Sequence, residues 1–219
     1  IMEGFGINEN ANLDPEYNFD AWFRMQITEY KKNGKMDEQV VYDNYLNKSN
    51  YDYGMEFGND ETQSTILFDS SRFAMIILTD NDGEKTGFAT GVDPEKMKEM
   101  MEEEVAEDTE FKPLKTGNTK TILGYSCDEY LVDEDDREVR MWASEKLGKE
   151  MRKEILNNPN AYGSAFYYSG FVNGMILEYN LLDKNNGQKT EMLVTDLDLK
   201  RNHSISTGGY VIMSMNLEE

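Results

Sequence analysis

The segment that decides the fold runs from Phe19 to Leu46 and reads FDAWFRMQITEYKKNGKMDEQVVYDNYL. In its first half, apolar side chains recur at every second position: Phe19, Ala21, Phe23, Met25 and Ile27. That period of two places the set on one face of a β-strand. Asn33-Gly34 follows, and this pair is a strong hairpin signal because both turn positions need a positive φ. The segment therefore predicts a strand, a tight turn and a returning strand from Met36 to Leu46.

Short apolar or alternating runs between Asn, Asp and Gly turns continue along the chain. They predict further strands at residues 51–57, 62–69, 72–79, 84–90, 119–132, 137–144, 166–173, 175–182, 187–199 and 205–215. Successive short strands joined by such turns are typical of an antiparallel meander. About ten or eleven strands are enough for a strongly curved sheet or an open barrel.

Two segments have the period of a helix instead. Asp93-Pro94 provides an N-cap and a first helical residue, and an apolar stripe follows at Met97, Met100, Met101 and Val105. The second segment runs from about 144 to 157, with Leu147, Met151 and Ile155 four residues apart. Because both helices are short and amphipathic, we expect each to lie against the sheet.

The chain is strongly acidic, with 22 basic and 43 acidic residues and a net charge of −21. Phosphate backbones and anionic lipid headgroups repel such a molecule, so nucleic-acid binding is not expected. No apolar run approaches the roughly 20 residues that cross a bilayer, so no transmembrane segment is expected. The single cysteine, Cys127, excludes an internal disulfide.

No residue pattern indicates catalysis, a metal site or a cofactor. His203, the one histidine, lies in a polar stretch and is expected to be an exposed loop residue. Cys127 has acidic neighbours, which disfavour a thiolate, so we expect a buried structural thiol. The turn Asp80–Glu84 does not match a calcium loop and predicts a hairpin. Weak cation binding at the acidic turns stays open.

Fourteen methionines are the one unusual count in the composition. Flexible thioether side chains either fill a core or line an adaptable apolar surface, and both interpretations stay open here. If they line a ligand site, the residues expected to point inward are Met97, Met100, Met101, Val105, Trp142, Met151 and Ile155.

The stretch Lys120–Tyr130, followed by Arg140–Ser144, resembles an uncharacterised envelope-protein family. That family is a domain of unknown function, of the DUF4412 type, related to the LolA/LolB-like lipoprotein carriers. Thr207–Tyr210 is similar to a Pro-x-Gly-Tyr step near the family's end, without the proline. The resemblance implies a half-open barrel with helices across its concave side, and a periplasmic or outer-membrane-associated protein whose signal segment is removed. It implies no reaction and no catalytic residues.

The sequence thus predicts an α+β, β-dominated fold: a strongly curved antiparallel sheet with two amphipathic helices on its concave face. Residues 1–15 are expected to form a flexible arm and residues 16–219 a single domain. The function we expect is non-enzymatic binding of an apolar ligand, a lipid or lipidated partner, between sheet and helices. Two alternatives stay open: a structural or protein-interaction module of the envelope with a packed interior, and a hydrolase that uses paired carboxylates.

Overall fold

The structure is a computed structural model and describes residues 13–59, 61–91, 112–155, 172 and 174–215. Within these residues the chain forms fourteen strands and one helix. In chain order they are β1 Glu16–Phe19, β2 Ala21–Tyr30, β3 Met36–Leu46, β4 Tyr53–Gly58, β5 Thr62–Asp69, β6 Ala74–Asn81, β7 Glu84–Gly91, β8 Leu114–Ile122, β9 Tyr125–Asp133, β10 Arg137–Ser144, α1 Glu145–Ile155, β11 Met175–Asp183, β12 Lys189–Asp198, β13 His203–Ser206 and β14 Val211–Met215.

Twelve of the strands form one open sheet in the order β14-β7-β6-β5-β4-β3-β2-β12-β11-β10-β9-β8. Neighbours are antiparallel except β14, which pairs parallel with β7. The remaining two strands, β1 and β13, form a separate antiparallel pair. An open sheet of this width curls. The β-dominated, antiparallel prediction is therefore confirmed, although the edge strands β14 and β8 of the described sheet do not pair to close a barrel.

The helix α1 confirms the second of the two predicted helices. It begins directly after β10, and the backbone N–H of Leu147 donates to Ser144 Oγ at 3.4 Å, which caps the first turn. The first predicted helix, with Met97, Met100, Met101 and Val105, lies outside the described residues. So do the strand predicted at 166–173, apart from Val172, and most of the predicted arm.

The prediction of single strands at 119–132 and 205–215 was wrong. The first is a hairpin of β8 and β9, because Leu123 and Gly124 both take positive φ and form a two-residue turn. The second is divided at Thr207–Tyr210, so that β13 joins β1 and β14 joins β7. The strand β1 was not predicted.

Three buried clusters form the interior of the described chain. The first core joins α1 to the sheet and comprises Ala21, Phe23, Met25, Leu46, Tyr53, Phe68, Cys127, Leu147, Met151, Met175, Leu177 and Val194. The second core lies between the β1–β13 pair and the main sheet and comprises Tyr17, Phe19, Trp22, Tyr45, Leu67, Ile76, Leu78, Ala89 and Ile205. The third core lies on β9–β11 and includes Tyr130, Val139 and Met141.

A buried carboxylate holds the edge strand β8. Glu129 is 2% exposed and accepts hydrogen bonds from Thr116 Oγ1 at 2.6 Å, Asn118 Nδ2 at 2.7 Å and Arg140 Nη1 at 2.6 Å. Thr116 and Asn118 lie where the β8–β9 register shifts, between Lys115 and Thr119. The carboxylate thus ties the bulge of β8 to β10, and these bonds, that of Thr116 first, lower the pKa of Glu129 to about 2.

This lowered pKa predicts a pH dependence of stability. Because the pKa falls from an ordinary 4.5 to about 2 on folding, the stabilisation is complete above the unfolded value and is lost as pH falls toward 2. It amounts to about 3 kcal/mol at pH 7, of which about 2 kcal/mol is gone at pH 3. We expect urea unfolding of wild type and Glu129→Gln to show this difference between pH 7 and pH 3. Equal losses in the two proteins would contradict the assignment.

Candidate functional site

An apolar row crosses five adjacent strands of the main sheet on the face that carries the first core. Met55 pairs with Ile66, Ile66 with Ile77, Ile77 with Phe88, and Phe88 with Met213. We call these five residues the apolar ladder. At about 4.8 Å between strands the ladder is about 19 Å long. One leaflet of a bilayer core is about 15 Å thick, so an acyl chain can lie along it.

The ladder is partly accessible although it is apolar: Met55, Ile66 and Phe88 are half-buried, and the other two residues are exposed. Ile77 is 38% exposed and Met213 49%, and Met75 beside them is 37% exposed. On the opposite face of the same strand β6, Ile76 and Leu78 are almost completely buried in the second core. The strand is therefore apolar on both faces, but only one of them is fully covered.

This pattern differs from that of an ordinary solvated sheet face. An antiparallel sheet with one face in water alternates apolar and polar residues, whereas β5 and β6 place apolar side chains on both faces. Contiguous apolar surface that stays accessible marks a ligand or partner site more often than a solvated face. The ladder is the candidate site of this chain.

The structure places only part of the predicted lining set. Met151 is 3% exposed and lies in the first core, and the half-buried Trp142 packs against that core with Lys120 Nζ 4.2 Å from its ring. Ile155 ends α1, and its side chain lies outside the described residues. Met97, Met100, Met101 and Val105 lie outside them too, so the predicted lining set stays a prediction.

His203 differs from its expectation as an exposed loop residue. It opens β13, its ring stacks on Tyr45 at 4.0 Å between centroids, and its Nε2 lies 3.6 Å from Glu56 Oε2. A hollow of about 480 Å³ beside it is lined mainly by polar residues, among them Asn18, Asp20 and Asn47. A polar lining of this kind does not match an apolar ligand.

The other residues considered for chemistry have structural roles. Cys127 is fully buried, and burial raises the pKa of its thiol, so the structural interpretation is confirmed. Asp82 and Gly83 take positive φ between β6 and β7, which confirms the hairpin. Across the described ranges, no three His, Cys, Asp or Glu side chains group closely enough to hold a metal ion.

The comparisons with known proteins centre on one family. The family described as "Domain of unknown function (DUF4412)" matches residues 19–200. No curated protein sequence matches the chain. In the part that the structure describes, no helix has the length and apolarity to span a membrane.

The solved structures to which the chain is similar are distant. A structure of PNGF-II is 11% identical with a TM-score of 0.38; the alignment covers 90% of this chain and 31% of that one, so the chain spans about a third of PNGF-II. A DUF1329 family protein from Desulfovibrio piger is 9% identical, with a TM-score of 0.24 and coverage of 88% and 87%. An outer membrane lipoprotein-sorting protein domain from Vibrio parahaemolyticus is 10% identical, with a TM-score of 0.21 and coverage of 87% and 86%.

Proposed function

The chain belongs to the family of the DUF4412 domain of unknown function, and on that premise we propose that it is an exported, non-enzymatic protein that binds an apolar ligand on the ladder. The ligand is a lipid or the acyl chain of a lipidated partner, and the protein works in the periplasm or at the outer membrane. The observation that carries the proposal is the apolar ladder, which remains accessible while the opposite face of the same strands is buried.

The residues predicted to line a ligand site belong to this proposal. Met97, Met100, Met101 and Val105 lie in the connection between β7 and β8, and β7 carries the ladder residue Phe88. The β1–β13 pair already covers the second core on the opposite face. We therefore propose that the methionines of this connection, Met97, Met100 and Met101, meet the ligand together with Val105. Trp142 and Ile155 would close the α1 side, while Met151 stays packed in the first core.

The hydrogen bonds of the buried carboxyl groups agree with a non-enzymatic role. Asp52, Asp69 and Glu129 are the buried carboxyl groups of the described chain. Burial alone would raise the pKa of Asp69, but hydrogen bonds from Ser71, Arg72 and Tyr17 hold it below its ordinary value. Asp52 accepts the Ser70 backbone N–H at 3.0 Å. Each of these acids is engaged in bonds that stabilise the fold.

One observation favours a second candidate function, that of a structural or protein-interaction module with a packed interior; we call this the packed module. Leu147 and Met151 on α1 are 0% and 3% exposed, so the first core under the helix is filled by the protein's own side chains. If the same packing extends over the ladder, the chain is an interaction module without a ligand. The two candidates differ in whether the ladder can take up an apolar molecule.

Replacing Ile77 with glutamate tests this difference. We expect Ile77→Glu to lower the affinity for the neutral fluorescent probe N-phenyl-1-naphthylamine more than tenfold, because a carboxylate in the ladder must lose its hydration when the probe binds. The fold should persist, since the side chain is 38% exposed. The measurement is a fluorescence titration, with circular dichroism and the urea midpoint as checks on folding.

Val41→Glu is the matched control. Val41 is 40% exposed and lies on the opposite face of the same sheet, where it pairs with Gln26. The Val41→Glu substitution introduces the same charge at similar exposure and should leave probe binding unchanged. Absence of saturable binding to the wild type, or equal losses in both variants, would favour the packed module.

A further inference from the structure

A second row of side chains runs parallel to the ladder and carries hydroxyl groups. Ser64 pairs with Thr79, and Thr79 with Thr86. Each lies two residues along its strand from a ladder residue, on the same face and about 6.7 Å away. We call these three residues the hydroxyl row.

The side chains of the hydroxyl row can form further hydrogen bonds. Within the described ranges, the side chains of Ser64, Thr79 and Thr86 have no hydrogen-bond partner, and all three are half-buried or exposed. Thr62, the next residue of this face along β5, instead donates to Asn81 Oδ1 at 3.1 Å. A hydroxyl both donates and accepts, so the row can bond an uncharged polar group from either side.

On the ladder face, strands β2–β7 and β14 carry no basic side chain. Strands β2–β7 and β14 contain two basic residues, Arg24 and Lys85. Both project from the opposite face, where Arg24 bonds Asp43 at 2.8 Å and Lys85 lies 3.6 Å from Asp80. An anionic headgroup on the ladder face would therefore find no cation in these strands, in a chain whose net charge is −21. Burying such a charge without a partner is costly.

From these observations we infer that the site takes a neutral amphiphile. Its hydrocarbon chain lies on the apolar ladder, and its uncharged headgroup, bearing hydroxyl or amide groups, bonds the hydroxyl row. The inference rests on the proposed function and deepens it, because it names the class of ligand. The same geometry discriminates against fatty-acid carboxylates and phosphorylated lipids.

The test compares two ligands that share one acyl chain. Monolauroylglycerol and laurate are used to displace N-phenyl-1-naphthylamine from the full-length protein at pH 8, below their critical micelle concentrations. We expect the glycerol ester to bind at least tenfold more tightly than the carboxylate. We also expect the double variant Thr79→Val, Thr86→Val to weaken the glycerol ester about tenfold, because two hydrogen bonds are lost without a change of side-chain shape. Probe binding itself should change little.

Thr119→Val is the matched control, since Thr119 is an exposed threonine on the far edge strand β8. It should leave all three affinities unchanged. Equal affinity for the two lauroyl ligands, or an unaltered ester affinity in the double variant, would overturn the inference while probe binding still upheld the proposed function. If neither the probe nor either ligand binds the wild type, the proposed function fails as well.

Discussion

Replacing Gly148 with alanine will lower the free energy of unfolding by about 2–3 kcal/mol, although helix propensity alone would raise it by about 1 kcal/mol. A Cβ at this position of α1 would stand 2.6 Å from the Cα of Gly174 and 2.9 Å from the backbone N of Met175. Both are backbone atoms at the start of β11, so no side-chain rotation relieves the clash. Either α1 or β11 must move, and the first core loosens with it.

Two further variants make this prediction specific to the contact. Gly174→Ala should cost at least as much, because Gly174 has a φ of +133° and a Cβ there would lie 2.5 Å from Ser144 O. Lys149→Ala, next to Gly148 but exposed, should change stability by no more than about 0.5 kcal/mol. Urea unfolding followed by circular dichroism measures all three. A Gly148→Ala protein as stable as the wild type would show that α1 and β11 are not in close contact.

Replacing Glu129 with glutamine will cost about 3 kcal/mol at neutral pH, a shift of about 1–2 M in the urea midpoint. The amide keeps the shape of the side chain but removes the charge that Arg140 approaches at 2.6 Å. It also places an N–H₂ group against donors from Thr116 or Asn118, so at least one buried bond is lost. We expect the bulge of β8 to detach first, which hydrogen exchange of its backbone amides can detect.

Glu138→Gln provides the control for this second prediction. Glu138 contacts the same guanidinium, Arg140 Nη2, at 3.2 Å, but its side chain is 33% exposed. Its removal should therefore cost less than about 1 kcal/mol. Similar costs for the two variants would mean that the arginine, rather than the buried carboxylate, organises this edge of the sheet.

The parts of the fold that local sequence predicts are those governed by local chemistry. Asn33-Gly34 and Asp82-Gly83 mark hairpins because their residues favour positive φ, and the structure has both hairpins. Asp82 and Gly83 both take positive φ, whereas in the longer β2–β3 loop Gly34 does and Asn33 does not. Leu123-Gly124 makes the same two-residue turn as Asp82-Gly83, but leucine does not favour positive φ, so β8 and β9 were predicted as one strand. The pairing of β1 with β13 was not predictable, because a period of two carries no information about a distant partner.

The candidate site could not be predicted from local sequence, for a related reason. The ladder arises from register across β4–β7 and β14, and no single strand contains more than one of its members. The methionine count pointed to helices instead, and of those methionines the structure places Met151 in a closed core. One sequence signal was present: Ala74–Leu78 is apolar at every position, which is unusual for a strand with one face in solvent.

The pairing of β1 with β13, which follows much later in the chain, also determines when this part of the protein can fold during synthesis. Glu16 pairs with Ser206, so β1 has no partner until β13 has left the ribosome. At 5–20 residues per second this interval is on the order of 10–40 s. Until then Tyr17 and Phe19, which end up in the second core, stay uncovered. The second core therefore closes only after β13 has been synthesised, and until then its apolar residues are open to aggregation or to a chaperone.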